Sequence, residues 1–234
     1  MISRRLFCGC LAAAGSFAAT AVRAQTECAV FTAERQQQTT PDEALEKLKQ
    51  GNARLLAGQS IHCDLVSQLK QTASNQAPFA AIVGCIDSRV PPELVFDQGI
   101  GDIFCARVAG NIVDIDIIGS LEYATKVAGA KAIVVLGHSS CGAIKSAIDG
   151  VQLGNITALL ENFQPALATI TPEDGERDSH NYPLVQKVAE ANARLTAASL
   201  TRRSAIIKEL ADSGQIKIVA AMNDIKTGKV SWLS

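Results

Sequence analysis

Net charge is almost absent from this sequence. Its 22 Lys and Arg stand against 23 Asp and Glu, a formal −1, so a polyanion such as nucleic acid has no electrostatic reason to bind. Tryptophan occurs once, at Trp232, and histidine three times, at His62, His138 and His180; chemistry that needs an imidazole has only those three to draw on. No internal repeat is visible. No apolar run is long and unbroken enough to read as a membrane span: the longest candidate, Leu6 to Val22, is interrupted by Gly and Ser and lacks a stop-transfer flank. Disorder is excluded as well, because 47% of the residues are apolar and only 19% charged, which suits a packed core. At 234 residues, one sizeable domain is the expectation.

What is present begins with the N-terminus. Arg4 and Arg5 precede a small-residue apolar run that ends in Val22-Arg23-Ala24, small at both positions a signal peptidase reads. Residues 1–24 read as an export signal, and Ser3-Arg4-Arg5-Leu6-Phe7 is similar to a twin-arginine signal, with an ordinary Sec signal as the alternative. The expected location is periplasmic or secreted, with no stable membrane insertion after the signal is removed. Removal takes three of the basic residues and no acid, leaving a net charge of −4. Five cysteines are left: Cys28, Cys63, Cys85, Cys105 and Cys141. In an oxidising compartment spare thiols pair, hide or bind metal, and an odd number cannot all pair. A Cys28–Cys63 disulfide would tie the N-terminal segment to the chain before the first strand. Cys105, inside an apolar strand, reads as a packed thiol.

Residues 25–39 are polar and Gln-rich and read as a flexible arm; residues 40–234 read as the catalytic domain. Thr40, Pro41, Asp42 and Glu43 are cap, first-turn and dipole signals for a helix, with Ala44, Leu45, Leu48 and Leu55 as its apolar stripe. Short β-branched runs follow at Ala80–Gly84, Asp102–Val108, Ala132–Gly137, Lys217–Met222 and Lys229–Leu233. Helical segments separate them at Ile117–Lys131, after Ser139, and over Leu184–Leu210, while Thr169–Pro183 reads as a polar loop. The alternation predicts an α/β fold: a mainly parallel central sheet with flanking helices, an antiparallel edge strand and an N-terminal helical extension. Ligands of such sheets sit off the carboxyl ends of the strands.

Two motifs fall at those ends. In AIVGCIDSRV, an extended chain would turn Cys85, Asp87 and Arg89 the same way. In VVLGHSSCGA, His138 and Cys141 stand three apart where a strand gives way to a helix, spaced to face one point across its first turn. Two thiols and one imidazole make a Cys₂His set that suits Zn²⁺ and leaves a fourth position. The plain alternative is a set of packed core residues. Asp87 and Arg89 favour a catalytic metal, because a structural zinc closes its shell with four Cys or His and needs no carboxylate–guanidinium pair beside it. The carboxylate would orient a water and the arginine would keep it ionised; a buried structural ion pair is the alternative for these two.

CIDSR followed by GHSSCGA resembles the β-class carbonic anhydrases, and the likeness runs from about Pro41 to the C-terminus. PPELVFDQGIGDIFCARVAGN between the motifs is also similar to the family, with Cys105 where an aliphatic residue is usual and Val108 where Asn is frequent. The resemblance implies an enzyme, carbonic anhydrase (carbonate dehydratase, a lyase), for zinc-dependent reversible hydration of CO₂ to bicarbonate and a proton by zinc-bound hydroxide. It implies one Zn²⁺ per subunit on Cys85, His138 and Cys141, and Asp87 and Arg89 as the catalytic dyad. Gln76, Phe104 and Tyr123 would be substrate-binding residues, Phe104 and Tyr123 lent by a neighbouring subunit. Self-association as a homodimer or dimer of dimers is implied, with CO₂ and bicarbonate as the small-molecule partners. In the family's closed arrangement Asp87 would itself be the fourth ligand; Gln76 and Tyr123, and a lone Trp232 at the far C-terminus, favour the open one. A hydrolase of CS₂ or COS on the same scaffold, or a non-catalytic zinc or redox module, are the alternatives. His62 and His180 are proton-shuttle candidates by chemistry only.

Overall fold

The structure is a computed structural model that describes residues 28–233; the export signal read at residues 1–24 lies outside them. Five strands, β1 (Ala80–Gly84), β2 (Ile103–Arg107), β3 (Ala132–His138), β4 (Lys217–Asn223) and β5 (Val230–Leu233), form one sheet in the order β2-β1-β3-β4-β5. The pairs β1–β2, β1–β3 and β3–β4 are parallel, and β4–β5 is antiparallel. The helices are α1 (Ala33–Gln38), α2 (Pro41–Leu56), α3 (Leu65–Thr72), α4 (Pro92–Val95), α5 (Ile115–Glu122), α6 (Gly142–Ile148), α7 (Gly154–Glu161), α8 (Gln164–Leu167), α9 (Tyr182–Arg203) and α10 (Ala205–Asp212). The expected α/β architecture with its antiparallel edge is the observed one.

β1 and β3 are buried along their whole length. That is why they read as unbroken apolar runs: helices cover both faces of a parallel sheet. One face carries Ala81, Val83, Ile133 and Val135 against Ile118 and Leu121 of α5, Val188 and Leu200 of α9 and Ile207 of α10. The other carries Ala80, Ile82, Val134 and Leu136 against Ala44, Leu45 and Leu48 of α2 and Phe96 beyond α4. The chain moves from β1 to β2 on one side and then crosses to β3 on the other. The strand order therefore reverses between β1 and β3, which opens a crevice at their carboxyl ends.

Thr40 and Glu43 form the reciprocal cap that starts α2, with Pro41 in its first turn. Gly51 lets the helix close on the sheet: a Cβ there would fall 1.7 Å from the Phe96 carbonyl oxygen. Buried Asn52 completes that contact, donating to Val95 O (3.0 Å) and Gly228 O (2.8 Å) and accepting from Val230 N (2.9 Å). The stretch read as one helix over Leu184–Leu210 is two. Ser204 ends α9 and caps α10, its Oγ accepting from Ile207 N and donating to Glu122 Oε1. Serine competes with the backbone for hydrogen bonds, so an apolar period alone runs through the break unseen. No helix among the described residues is long and apolar enough to cross a membrane.

The reading of residues 25–39 as a flexible arm is corrected over the described part. Thr32 caps α1. Buried Gln36 donates from Nε2 to Pro78 O (2.6 Å) and Ala128 O (2.7 Å). The Phe31 ring lies 5.1 Å from that of Phe79, and Cys28 is bonded to Cys63. Composition concealed this because so few residues do the anchoring. The disulfide closes a separation of 35 residues, which in the chain-entropy account stabilises the fold by about 4 kcal/mol. The double variant Cys28→Ser/Cys63→Ser should melt roughly 10 °C below wild type; an unchanged melting temperature would show that the segment is not held by the bond.

Candidate metal centre

Cys85 continues the Ala81–Val83 side of β1 as the chain leaves the sheet, so its sulfur lands in the core face of the crevice. The chain does not stay extended beyond it. Val90 N donates to Asp87 O (3.1 Å), and Arg89 N to Asp87 Oδ1 (2.9 Å). This turn, rather than strand alternation, brings the two side chains together. Arg89 then closes a fork on the carboxylate, Nε to Oδ1 at 2.9 Å and Nη2 to Oδ2 at 2.7 Å. Those bonds hold the Asp87 carboxyl well below the usual carboxylate range, outweighing the partial burial that works against it. The Arg89 side chain is 54% exposed, so the pair sits at the mouth of the crevice and is not a buried structural bridge.

Arg107, the last residue of β2, holds the same segment from the other side. Its Nε donates to Cys85 O (2.9 Å) and its Nη2 to Asp87 O (2.6 Å). One rigid guanidinium thereby fixes the backbone on both sides of Ile86. The sequence reading passed over Arg107; its only local signal is a cation closing an otherwise apolar strand.

The second half of the centre comes from β3. His138 is its last residue, and Cys141 is the N-cap of α6. They do not share a helical turn, as the spacing suggested. Ser140, in the left-handed region at φ 54°, reverses the chain between them. Ser139 is pinned by its N–H to Asn223 O and by its Oγ accepting from Ile225 N. His138 Nδ1 lies 2.9 Å from Ser139 O. A carbonyl only accepts, so Nδ1 carries a proton, and in the neutral ring the Nε2 lone pair is left free. That Nε2 is buried and has no hydrogen-bond partner.

The orphaned nitrogen faces two sulfurs. The ligand atoms of Cys85, His138 and Cys141 all lie within 4.8 Å of one another, and all three residues are buried. Donors of a tetrahedral zinc, at about 2.0–2.3 Å from the ion, stand about 3.5–3.8 Å apart, so the set fits a metal after a small contraction. The neighbouring Cys141 thiol draws the Cys85 thiol well below its ordinary range, against the opposing effect of burial. His138 and the Gly110 N–H, 3.2 Å from the Cys85 sulfur, add to that lowering. The same Cys141–Cys85 contact, with burial, pushes Cys141 up. Asp87 Oδ2 is 3.9 Å from His138 Nε2.

Other residues singled out in the sequence lie elsewhere. Gln76 is exposed and precedes β1, at the end of that strand opposite Cys85. Phe104 and Tyr123 line a cavity of about 680 Å³ between β2 and α5. Trp232 is in β5, two strands from β3, with its ring 6.1 Å from Phe96. His180 pairs with Asp178 at 2.7 Å on the surface, and His62 is exposed. Cys105 is half-buried in β2 rather than in the core, and burial pushes its thiol up.

A mainly parallel α/β sheet with a buried Cys₂His set at its switch point, and a carboxylate 3.9 Å from the imidazole, has the donor set of a metal-dependent enzyme. A family model described as "Carbonic anhydrase" matches residues 80–230. The chain is 36% identical over 197 residues to carbonic anhydrase 2 of Mycobacterium tuberculosis, covering 82% of this chain and 92% of that protein. It is 34% identical to a carbonic anhydrase of Mycolicibacterium smegmatis, over 84% of this chain and 95% of that one. Among solved structures, a tetrameric β-carbonic anhydrase of Sordaria macrospora superimposes with a TM-score of 0.64 at 28% identity, over 72% of this chain and 90% of that chain. The chain belongs to the β-carbonic anhydrase family.

Proposed function

We propose that the protein catalyses the reversible hydration of CO₂ to bicarbonate and a proton, with Cys85, His138 and Cys141 holding one zinc ion. The observation that carries this is the free, buried His138 Nε2 facing two sulfurs, with the Asp87 carboxylate 3.9 Å away. A zinc ion held by these three residues would supply Lewis acidity, drawing the pKa of a water toward about 7, near neutral pH. Two thiolates balance the charge of the ion and the neutral imidazole completes the set. Asp87 accepts a hydrogen bond from the attacking water and so aims its lone pair at the CO₂ carbon. With its pKa held so low, Asp87 orients and does not take the proton. Arg89 engages both carboxylate oxygens, which would hold Asp87 away from a bound metal and favours the open arrangement.

Metal analysis with stopped-flow CO₂ hydration tests the reading. Wild type should carry about one zinc per subunit and be active, Cys85→Ser should lose both, and Asp87→Ala should keep zinc while kcat/KM falls about 100-fold or more. Full activity in Asp87→Ala would point to another chemistry. Turnover of CS₂ or COS without CO₂ hydration would make the protein a hydrolase of those cumulenes instead.

The substrate cleft is completed by a second copy of the chain, in a homodimer or a dimer of dimers. Among the described residues β2 is an edge strand with its outer side unpaired. The apolar cavity beside it is lined by Phe104 and Tyr123 and flanked by exposed Ile115 (75%) and Val127 (70%), a surface that calls for a partner. The Sordaria relative is described as tetrameric. Phe104 and Tyr123, and Gln76 at the far end of β1, would then reach the centre of the neighbouring subunit. Light scattering should give a dimer or tetramer for wild type, and Ile115→Asp should give an inactive monomer; an active wild-type monomer would contradict this.

The protein is exported and works outside the cytoplasm. The signal read at residues 1–24 and the Cys28–Cys63 bond both favour an oxidising compartment. Mass spectrometry of the protein recovered from cells should give a mature N-terminus at Gln25; an uncleaved cytoplasmic chain would refute it.

A further inference from the structure

Cys85 receives a backbone hydrogen bond from a loop that is itself held from behind. Gly110 N–H lies 3.2 Å from the Cys85 sulfur. Gly110 sits at φ 71°, and a Cβ there would lie 2.3 Å from Phe163 Cζ and 3.3 Å from Ala143 Cβ. The turn is thus closely packed, but a glycine supplies no side chain to fix its own peptide planes. Asn192 of α9 adds a side-chain restraint to the Asn111 N–H to Val108 O bond (3.0 Å) that closes the turn. The Asn192 Nδ2 donates to Gly110 O at 2.8 Å.

Asn192 is out of character with its surroundings. It is 4% exposed and lies on the face of α9 that carries Leu184, Val185, Val188, Ala189, Ala193 and Leu200 into the core. An amide in such a stripe is costly unless its hydrogen bond serves a purpose. Leucine at this position would continue the apolar stripe but leave the Gly110 carbonyl without its donor. The amide reaches Gly110, and Gly110 reaches the sulfur.

We propose that Asn192 is a positioning residue for the metal centre, holding the Gly110 carbonyl so that the Gly110 N–H stays on the Cys85 sulfur. The inference rests on the reading of Cys85 as a metal ligand. A hydrogen bond to a ligating thiolate draws charge from the sulfur and fixes its direction. Without Asn192 the Gly110 carbonyl loses its side-chain donor, the turn keeps only its own backbone bond and packing, and the Gly110 N–H is less firmly aimed at the sulfur, although every ligand is still present.

The test uses the full-length protein loaded with Co²⁺ or ¹¹³Cd²⁺. In wild type the Gly110 amide proton should show scalar coupling to ¹¹³Cd through the sulfur, and Co²⁺ should give a thiolate-to-metal charge-transfer band. In Asn192→Leu the coupling should vanish, the band should move to lower energy, and zinc affinity by chelator competition should fall about 10- to 100-fold. Asn192→Asp keeps the shape and puts an acceptor against the carbonyl; it should behave in the same way and covers the case in which the leucine variant does not fold. A folded variant whose band and coupling match wild type would overturn the proposal, whatever its melting temperature. A wild type with no thiolate band at all is a different failure: it would remove Cys85 from the metal shell and this inference with it.

Discussion

The molecule is organised around the convergence of two strand ends. β1 and β3 are parallel neighbours in register, Gly84 opposite Leu136, so the residues that follow them emerge side by side. Cys85 leaves one, His138 closes the other, and Cys141 returns to the same point after a single left-handed residue. Three donors separated by as many as 56 positions in the chain meet within 4.8 Å only because this pairing holds. The apolar burial on both faces of β1 and β3 is what fixes the pairing, and the chemistry inherits its precision from the sheet.

A second layer of contacts converts that convergence into directed ligands. Arg107 ties the carbonyls of Cys85 and Asp87. Ser139 sets the imidazole tautomer while being tied to the strand end and turn after β4. Gly110 addresses the first sulfur. All of these are hydrogen bonds involving backbone atoms. A site built this way depends little on the exposed side chains around it and strongly on the loops that present the backbone. It also separates two groups of side chains: the buried thiols and imidazole, and Asp87 with Arg89 at the solvent mouth.

Much of this was legible in the sequence. The apolar runs at Ala80–Gly84 and Ala132–Gly137 announce fully buried strands, and the residues closing them are too reactive to be filler. Thr40, Pro41 and Glu43 mark a helix start by short-range chemistry and did so correctly. The export signal read at residues 1–24 is untouched by the structure. What stayed hidden was long-range or sparse. Gln36 and Phe31 anchor a polar segment through contacts that composition cannot reveal. Ser204 breaks a helix where the apolar period continues. Asn192 and Gly110 gain meaning only when α9 and the turn after β2 meet. The clustering of Asp87 with Arg89 was anticipated for the wrong reason, through strand alternation, when a local turn produces it. Gln76, Phe104 and Tyr123 lie away from the Cys85–His138–Cys141 cluster of their own chain.

The central claim is that two sulfurs and one imidazole nitrogen share one metal ion with an open fourth place. X-ray absorption at the zinc edge on the purified protein tests it most directly. The account predicts a shell of two sulfurs at about 2.3 Å, one imidazole nitrogen at about 2.0 Å and one further light atom. A shell of four sulfurs, or one with no sulfur, would contradict it.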